Sequence, residues 1–415
     1  MWKRNGIDDC DRKAYNVAMN IKKLGILLVA VWGAAAVWAS GFGLYEMSAA
    51  SHAVGGAVIG QAVDASANFF NPATLSDLTN LTVSAGFVTQ HPRARMKVDG
   101  APGSTKMDPG VFWIPHLQVA LPLPAGFTFG LGTYVECGLG SAYEDTWPLV
   151  NSSRETTVQS FTVNPNLSYA LTDRWSLAAG LRFFYFDFEQ YAEPMPGRVT
   201  HRLKGDNGFG DWGWQVGTRY RLLDNLAVGL VYKSGITVGV EGKSQMSGAI
   251  TRRVPAETEI DMPESVTGGL NWDVTETWHL GGAFTWTKWS TFDQLNFRLG
   301  DTVTPIQLRW EDTYRASLGS AWDFAEDWTW RLGYGYETDC TGRQDSTMLP
   351  RAERHMFTTG FGWNCWQGLE VSLSYGFILM DAAPSHATDA TGVLRRYCAS
   401  RGLSHAVGLT LTYRF

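Results

Sequence analysis

Stretches of about ten residues that alternate apolar and polar side chains recur along this chain, each set off by a short polar turn. In "AEDWTWRLGYGYE", Trp328, Trp330, Leu332, Tyr334 and Tyr336 fall on one face of an extended strand, opposite Thr329, Arg331, Gly333, Gly335 and Glu337. The same form appears in "TDRWSLAAGLRFFYF", "DNLAVGLVYK", "TETWHLGGAFTWTKW" and "QGLEVSLSYGFIL". The chain ends on "SHAVGLTLTYRF", with Val407, Leu409, Leu411, Tyr413 and Phe415 on one side. A strand like that needs a neighbour on each edge, because an unpaired edge with a greasy face templates aggregation. Beyond the N-terminus there is no apolar run of about 18 residues, so a membrane-spanning version of this chain must cross with strands.

Return strands precede those turns: "NPNLSYAL", "GWQVGTRYRLL", "SVTGGLNWDV", "YRASLGSAWDF" and "MFTTGFGW". With "NLTVSAGFVTQ", "IPHLQVALPL", "GFTFGLGTYVE" and the terminal strand the set reaches about fourteen, an even number as in bacterial outer-membrane barrels. The connections alternate between tight turns and long loops near 191–207, 243–263 and 382–401, the asymmetry of a barrel with its short turns in the periplasm. The pattern therefore predicts an all-β, transmembrane antiparallel β-barrel of about 14 strands whose last strand closes on its first, leaving no backbone group for lipid to satisfy. Trp175, Trp278, Trp328 and Trp366, beside the short turns, form the expected lower aromatic girdle. A soluble propeller would show more regular blade repeats.

"MNIKKLGILLVAVWGAAAVWA", opening at Met19, carries Lys22 and Lys23, an apolar stretch and a small-residue cleavage site, the form of a secretory signal. Residues 1–39 are thus expected to be an upstream extension and signal peptide, leaving Met1 or Met19 open as the start. Cleavage after Ala39 removes six basic and three acidic residues and moves the formal charge from -6 to -9, unsuited to nucleic acid. Of five cysteines Cys10 would be lost, and no Cys-x-x-Cys or Cys/His metal spacing occurs, so no metal or other cofactor is expected. Cys340 and Cys398 fall on the long-loop side and could pair, while Cys365 on the opposite rim stays free. Residues 40–79, rich in Ala, Gly and Ser, do not alternate; Asn71 can cap a short helix over "PATLSDL" with Pro72 at its first position. The expected organisation is a helical plug, residues 40–79, inside a barrel formed by residues 80–415.

"GFGLYEMSAASHAVGGAVIGQAVDASANFFNPATL" resembles the N-terminal hatch of the FadL/OmpP1/TodX family, whose marker is the triplet Asn71, Pro72 and Ala73. The resemblance continues colinearly through "IPHLQVALPLPAGFTFGLGTYVECGLG", "WGWQVGTRYRLLDNLAVGLVYKS" and "HAVGLTLTYRF". It implies a fourteen-stranded barrel with a hatch in its lumen, admission of hydrophobic compounds from outside, and lateral release into the membrane beside a kinked third strand. On that strand Gly130 and Gly132 interrupt the alternation and are the lateral-gate candidates; they mark either a bulge or room for hatch side chains.

Strand parity turns Arg182, Phe184, Phe186 and Phe188 inward, together with Trp289, Leu295 and Phe297 on strand nine and Ile378 and Met380 on strand thirteen. These nine are the candidate ligand-binding residues of an apolar upper lumen. Family members that carry fatty acids are implied to place basic residues near the tops of strands five and nine; the matching positions here are Ala192 and Asn296. Either Arg182, Lys288 or Arg298 substitutes for them, or the ligand is a neutral hydrocarbon. "GFGDWG" at Gly208–Gly213 matches G-x-G-x-x-G without the helix a nucleotide site needs. His279 and His405 read as rim or wall residues. No catalytic signature is present, so the expected function is a passive outer-membrane channel for a hydrophobic small molecule and not an enzyme; a nonspecific aqueous porin and an outer-membrane hydrolase are the alternatives. The expected partners are that ligand, outer-membrane lipid and lipopolysaccharide, and the barrel-assembly machinery through the Phe415 strand, the chain acting as a monomer.

Overall fold

The computed structural model describes Gly41 and residues 43–341, 347–349 and 351–415; the expected signal segment and Cys10 lie outside the described residues. Fourteen antiparallel strands among them form the closed barrel, and shorter strands extend it on the long-connection side. In chain order β1 is Thr82–Val98, β2 Phe112–Pro122, β3 Phe127–Tyr134, β4 Glu155–Ala170 and β5 Trp175–Met195. Then come β6 Asp211–Leu223, β7 Leu226–Lys233, β8 Ser265–Asp273, β9 Trp278–Thr287 and β10 Thr313–Ala325. The last four are β11 Trp328–Glu337, β12 Ala352–Trp366, β13 Leu369–Ala382 and β14 Leu394–Arg414. Each pairs with the next, and β14 returns to β1 in a ladder running from Thr82↔Arg414 to Val98↔Tyr397. That ladder gives the terminal alternation both of its neighbours and abolishes the edge.

The long connections differ from expectation. Residues 191–207, 243–263 and 382–401 are largely strand, not loop: β5 runs on to Met195 and returns over Val199–Asp206, while Ile236–Ser247 pairs with Thr251–Met262. Their inward positions are apolar (Ile236, Val238, Val240), but Thr237 and Glu241 face out. Above the lipid the outer face meets water, so the two-sided contrast that marks the lower strands fades while the backbone pairing persists.

Trp175, Trp278, Trp328 and Trp366 are all exposed on the outside beside the short turns. In lipid an indole N–H needs an acceptor, and cross-strand hydroxyls provide it: Trp175 Nε1 donates to Thr218 Oγ1 and Trp278 Nε1 to Ser320 Oγ, both at 2.9 Å.

The segment before β1 lies in the lumen and is almost wholly buried. It holds α1 (Ala49–Ala53), α2 (Ala67–Phe70) and a 3-10 helix over Pro72–Asp77. Ser48 caps α1 through Ser51 N, and Asn71 caps the 3-10 helix through Ala73 N. Small residues on both sides allow close approach. A Cβ at Gly281 of β9 would stand 2.1 Å from Ala57 O, and one at Gly333 of β11 would stand 2.3 Å from Gly55 N. Gly281→Val is therefore expected to push the segment off the wall, and sugar-driven swelling of proteoliposomes should rise above the wild-type rate.

Polar pins fix the segment's register because the barrel wall at this level presents amides and charges. Asn71 Nδ2 donates to Ile59 O at 2.8 Å within the segment and to Thr218 O of β6 at 3.1 Å. Asn166 Nδ2 and Gln215 Nε2 donate to Asn68 Oδ1 and Asn68 O at 2.9 and 2.8 Å, and Arg219 pairs with Asp77 at 2.7 Å. His52 of α1 sits 3.0 Å from Ser374 Oγ, and burial, reinforced by Arg315, lowers its pKa from 6.5 to about 4. A released segment would take up this proton near 6.5, so the contribution is complete above that pH and is lost as pH falls through 4, by up to about 3 kcal/mol. Hydrogen-exchange protection of residues 49–57 is expected to drop between pH 6.5 and 4 in the wild type and to change less in His52→Gln.

Candidate functional site

Seven of the nine predicted lumen residues are brought together. Phe184, Phe186 and Phe188 project inward from β5 and join Trp289, Leu295 and Phe297 in one buried apolar cluster, with Arg182 at its lower margin lining the same cavity as Phe184 and Trp289. Trp289 and its companions come from other elements than a continuous ninth strand: Trp289 starts a 3-10 helix over Trp289–Thr291, and Leu295 and Phe297 lie on Gln294–Leu299. Phe292 and Trp310, which parity along strand nine does not single out, stack at 5.0 Å in the same cluster. Ile378 and Met380 are buried elsewhere. Met380 belongs to a second cluster with Met96, Tyr143, Trp147 and Tyr397, so the apolar lumen is divided and not one continuous pocket.

Beneath the first cluster lies a cavity of about 80 Å³, bounded below by the luminal segment. Three cations, Arg182, Lys233 and Arg315, and two carboxylates, Glu136 and Glu337, line it. Arg182 Nη2 donates to both oxygens of Glu136 at 3.0 Å, its Nη1 donates to Ser234 O at 2.9 Å, and Thr162 Oγ1 donates to Glu136 at 2.8 Å. Glu337 is paired with Arg354. Arg315 Nη2 donates to Gly55 O at 2.7 Å and its guanidinium lies over the Tyr45 ring at 4.2 Å. The Lys233 ammonium lies over the Phe69 ring, 3.1 Å from its centroid, and has no ion pair among the described residues. Arg182 is paired with Glu136 and Glu337 with Arg354, so Lys233 and Arg315 are the lining cations left without a carboxylate among the described residues; positive charge is in excess where water is scarce, which favours an anionic guest. The volume suits a carboxylate with a few waters, whereas ligand pockets typically measure about 300–1,000 Å³. A chain attached to such a carboxylate must enter the aromatic cluster above and displace part of it.

Gly130 and Gly132 sit in unbroken ladders, paired with Ala120 and Gln118 of β2 and with Asn166 and Asn164 of β4. Their missing side chains make room for the luminal segment: a Cβ on Gly130 would lie 2.2 Å from Asn68 Oδ1, and one on Gly132 would lie 3.1 Å from Asn68 Cβ. The interruption lies higher, at Val135–Cys137, between β3 and a short continuation over Gly138–Ala142. There the chain bends to the luminal segment, with Gly43 bridged to Cys137 and Leu44 N donating to Glu136 O at 2.9 Å. Pairing of β2 with β3 stops at Leu117↔Thr133, and among the described residues Phe112–His116 has no ladder partner on that side. Glu136, a lining residue of the cavity, thus sits in the break in the wall.

Ala192 is buried and uncharged, and Asn296 faces outward. Lys288 and Arg298 are exposed, Lys288 paired with Glu264 at 2.9 Å, so neither supplies a luminal charge. Lys233 and Arg315, not singled out by pattern, do. Cys340 and Cys398 are unpaired, as are Cys137 and Cys365; Cys340 is buried in the first cluster and accepts from Gly41 N, whereas Cys398 lies on β14. Residues 208–210 form a turn, with Gly208 and Phe209 at positive φ, followed by β6 and not by a helix. His279 is a rim residue between Asp273 and Asp323, and His405 is hydrogen-bonded to Tyr375 on the wall.

A family model described as outer membrane protein transport protein (OMPP1/FadL/TodX) matches residues 30–415. The long-chain fatty acid transport protein of Salmonella typhi is 25% identical over 385 residues, covering 81% of this chain and 87% of that protein. Among solved structures, a Pseudomonas aeruginosa FadL homologue superposes with a TM-score of 0.81 at 18% identity, covering 90% of this chain and 100% of that one. The toluene transporter TodX of P. putida superposes with a TM-score of 0.69 at 18% identity, covering 90% and 99%. Both superpositions report the same barrel.

Proposed function

Because the chain belongs to the OMPP1/FadL/TodX family of outer membrane transport proteins, we propose that it carries hydrophobic small molecules passively across the bacterial outer membrane, and that its preferred cargo is a long-chain fatty acid. One observation carries the finer choice: two cations without a carboxylate partner among the described residues, Lys233 and Arg315, stand beside two already paired carboxylates directly beneath an aromatic cluster. A fatty acid matches both halves, its carboxylate meeting Lys233 and Arg315 while its chain replaces apolar contacts at about 0.8 kcal/mol per methylene. The Salmonella relative is named for fatty acid transport and TodX for toluene; a neutral hydrocarbon would leave the cationic centre unused.

The route has three stages. Cargo partitions from the outer hairpins into the aromatic cluster, and its head group then reaches the cavity. There it competes with Glu136 for Arg182, loosening the bend at Val135–Cys137 and opening the unpaired edge of β2 to the membrane. The luminal segment acts as the plug throughout. No covalent step is involved; direction comes from the gradient and from removal of cargo on the far side. The chain works as a single copy, and its Phe415 strand is the segment offered to the barrel-assembly machinery.

Proteoliposomes containing the protein should pass a radiolabelled long-chain fatty acid to an internal acceptor but swell little in sucrose or glucose. Fast sugar swelling by the intact protein would instead identify an aqueous porin, and hydrolysis of an ester cargo lost on a single serine or histidine substitution would identify an enzyme.

A further inference from the structure

On the outward face of β1 the side chains change character along the strand. Val83, Ala85 and Phe87 face lipid, and Phe87 packs against Trp113 of β2 with ring centroids 4.7 Å apart. Arg93, Arg95 and Lys97 follow on the same face, all exposed. Ten residues separate Val83 from Arg93, roughly 33 Å of strand at about 3.3 Å per residue. At a tilt of about 40° that spans about 25 Å along the membrane normal, the full height of the apolar band. The cations therefore stand at the level of the outer-leaflet headgroups, roughly 7 Å apart.

Neighbouring strands extend the stripe. Lys106 lies opposite Arg95 in the ladder, and Arg396 of β14 lies beside Asp99, just beyond β1. Asp108 takes up Lys106 at 2.8 Å, Arg93 at 3.6 Å and His91 at 3.0 Å, and Asp99 lies 4.0 Å from Arg396. Among the described residues Arg95 and Lys97 have no carboxylate within ion-pair distance. The chain as a whole is acidic, and the outward face of Thr251–Met262 at the same end of the barrel carries Glu257, Glu259 and Asp261. Exposed cations occur on the other outer hairpins too, where Arg202 and Lys204 meet Glu189 and Arg298 meets Glu257, whereas on β1 Arg95 and Lys97 stand without a carboxylate. These two lie on the strand face turned to the membrane and not at a loop tip, which selects a membrane molecule over a soluble anion.

We propose that the outward face of β1, through Arg95 and Lys97 with Arg93, Lys106 and Arg396 around them, docks the phosphorylated headgroup of a lipopolysaccharide molecule in the outer leaflet, with its acyl chains against Phe87 and Trp113. Phosphate oxygens accept from the guanidinium and ammonium donors, and the alternate-residue spacing lets adjacent cations share one phosphorylated disaccharide. The proposal is independent of which cargo the lumen carries.

The test uses full-length protein in detergent titrated with lipid A and read by native mass spectrometry. Arg95→Gln/Lys97→Gln is expected to bind lipid A about 30-fold more weakly than wild type, a conversion of about 1 kcal/mol per neutralised cation near an anionic lipid surface. Glu257→Gln/Glu259→Gln should leave lipid A affinity unchanged, and fatty acid binding by the Arg95/Lys97 variant should be normal, showing that its barrel is intact. Dephosphorylated lipid A should bind wild type no better than lipid A binds the double variant, and equimolar inorganic phosphate should not displace lipid A. Wild-type affinity in the double variant, equal binding of dephosphorylated lipid A, or displacement by inorganic phosphate would each overturn the proposal.

Discussion

Replacing Lys233 by methionine is expected to weaken binding of a long-chain fatty acid by about ten- to a hundredfold while leaving its methyl ester unaffected. The range follows from losing a charged hydrogen-bond partner, about 1.5–3 kcal/mol. The Lys233 ammonium covers the Phe69 ring, and methionine, of similar length and with an apolar stem, can cover the same ring without the charge. Arg182 stays engaged with Glu136, so no buried carboxylate is orphaned by the change. Competitive displacement of a fluorescent fatty acid, run in parallel with the ester, separates loss of charge recognition from loss of fold. An equal fall for acid and ester would place Lys233 in the packing and not in carboxylate recognition.

Arg182→Leu should have the larger effect on stability. Glu136 and Arg182 are each about 6% exposed, and removing the arginine leaves the carboxylate with only Thr162 as a side-chain donor. Breaking a buried pair from one side costs about 3–5 kcal/mol, so the urea midpoint for unfolding from lipid vesicles should fall markedly. Glu136→Leu/Arg182→Leu should recover most of that loss, since a matched apolar pair removes both desolvation penalties. The double variant nevertheless loses the competition that couples cargo to the bend at Val135–Cys137, and its transport should be slower than its stability implies. A double variant as unstable as the single one would show that the bend depends on something other than this ion pair.

The barrel was legible because its cause is periodic. A lipid-facing strand must alternate, and Trp328 to Tyr336 displays that rule with no help from tertiary context. Parity also turned Phe184, Phe186 and Phe188 inward correctly, since the ladder from Trp175 to Phe184 with β6 carries no register shift. The glycines of strand three leave two readings open, a bulge or clearance, and the sequence alone does not choose between them. Glycine signals either freedom or clearance, and at Gly130 and Gly132 clearance for Asn68 is the need, while Val135–Cys137 bends without a glycine of its own. Lys233 and Arg315 were missed because period two reports a face and not a neighbour. Lys233 closes β7, and only its neighbours, Phe69 of the luminal segment and Glu136 in the break after β3, turn that position into a site. The outer hairpins read as loops in the sequence because their exteriors face water and lose the apolar half of the signal.

The most direct measurement is the affinity of the unmodified protein for a long-chain fatty acid against the methyl ester of the same chain, determined by displacement from the lumen at neutral pH. The account expects the acid to bind at least about tenfold more tightly, the lower end of the cost of losing a charged hydrogen bond. Equal affinities, or a preference for the ester, would contradict a cationic lumen that selects carboxylates and leave only its apolar cluster to define the cargo.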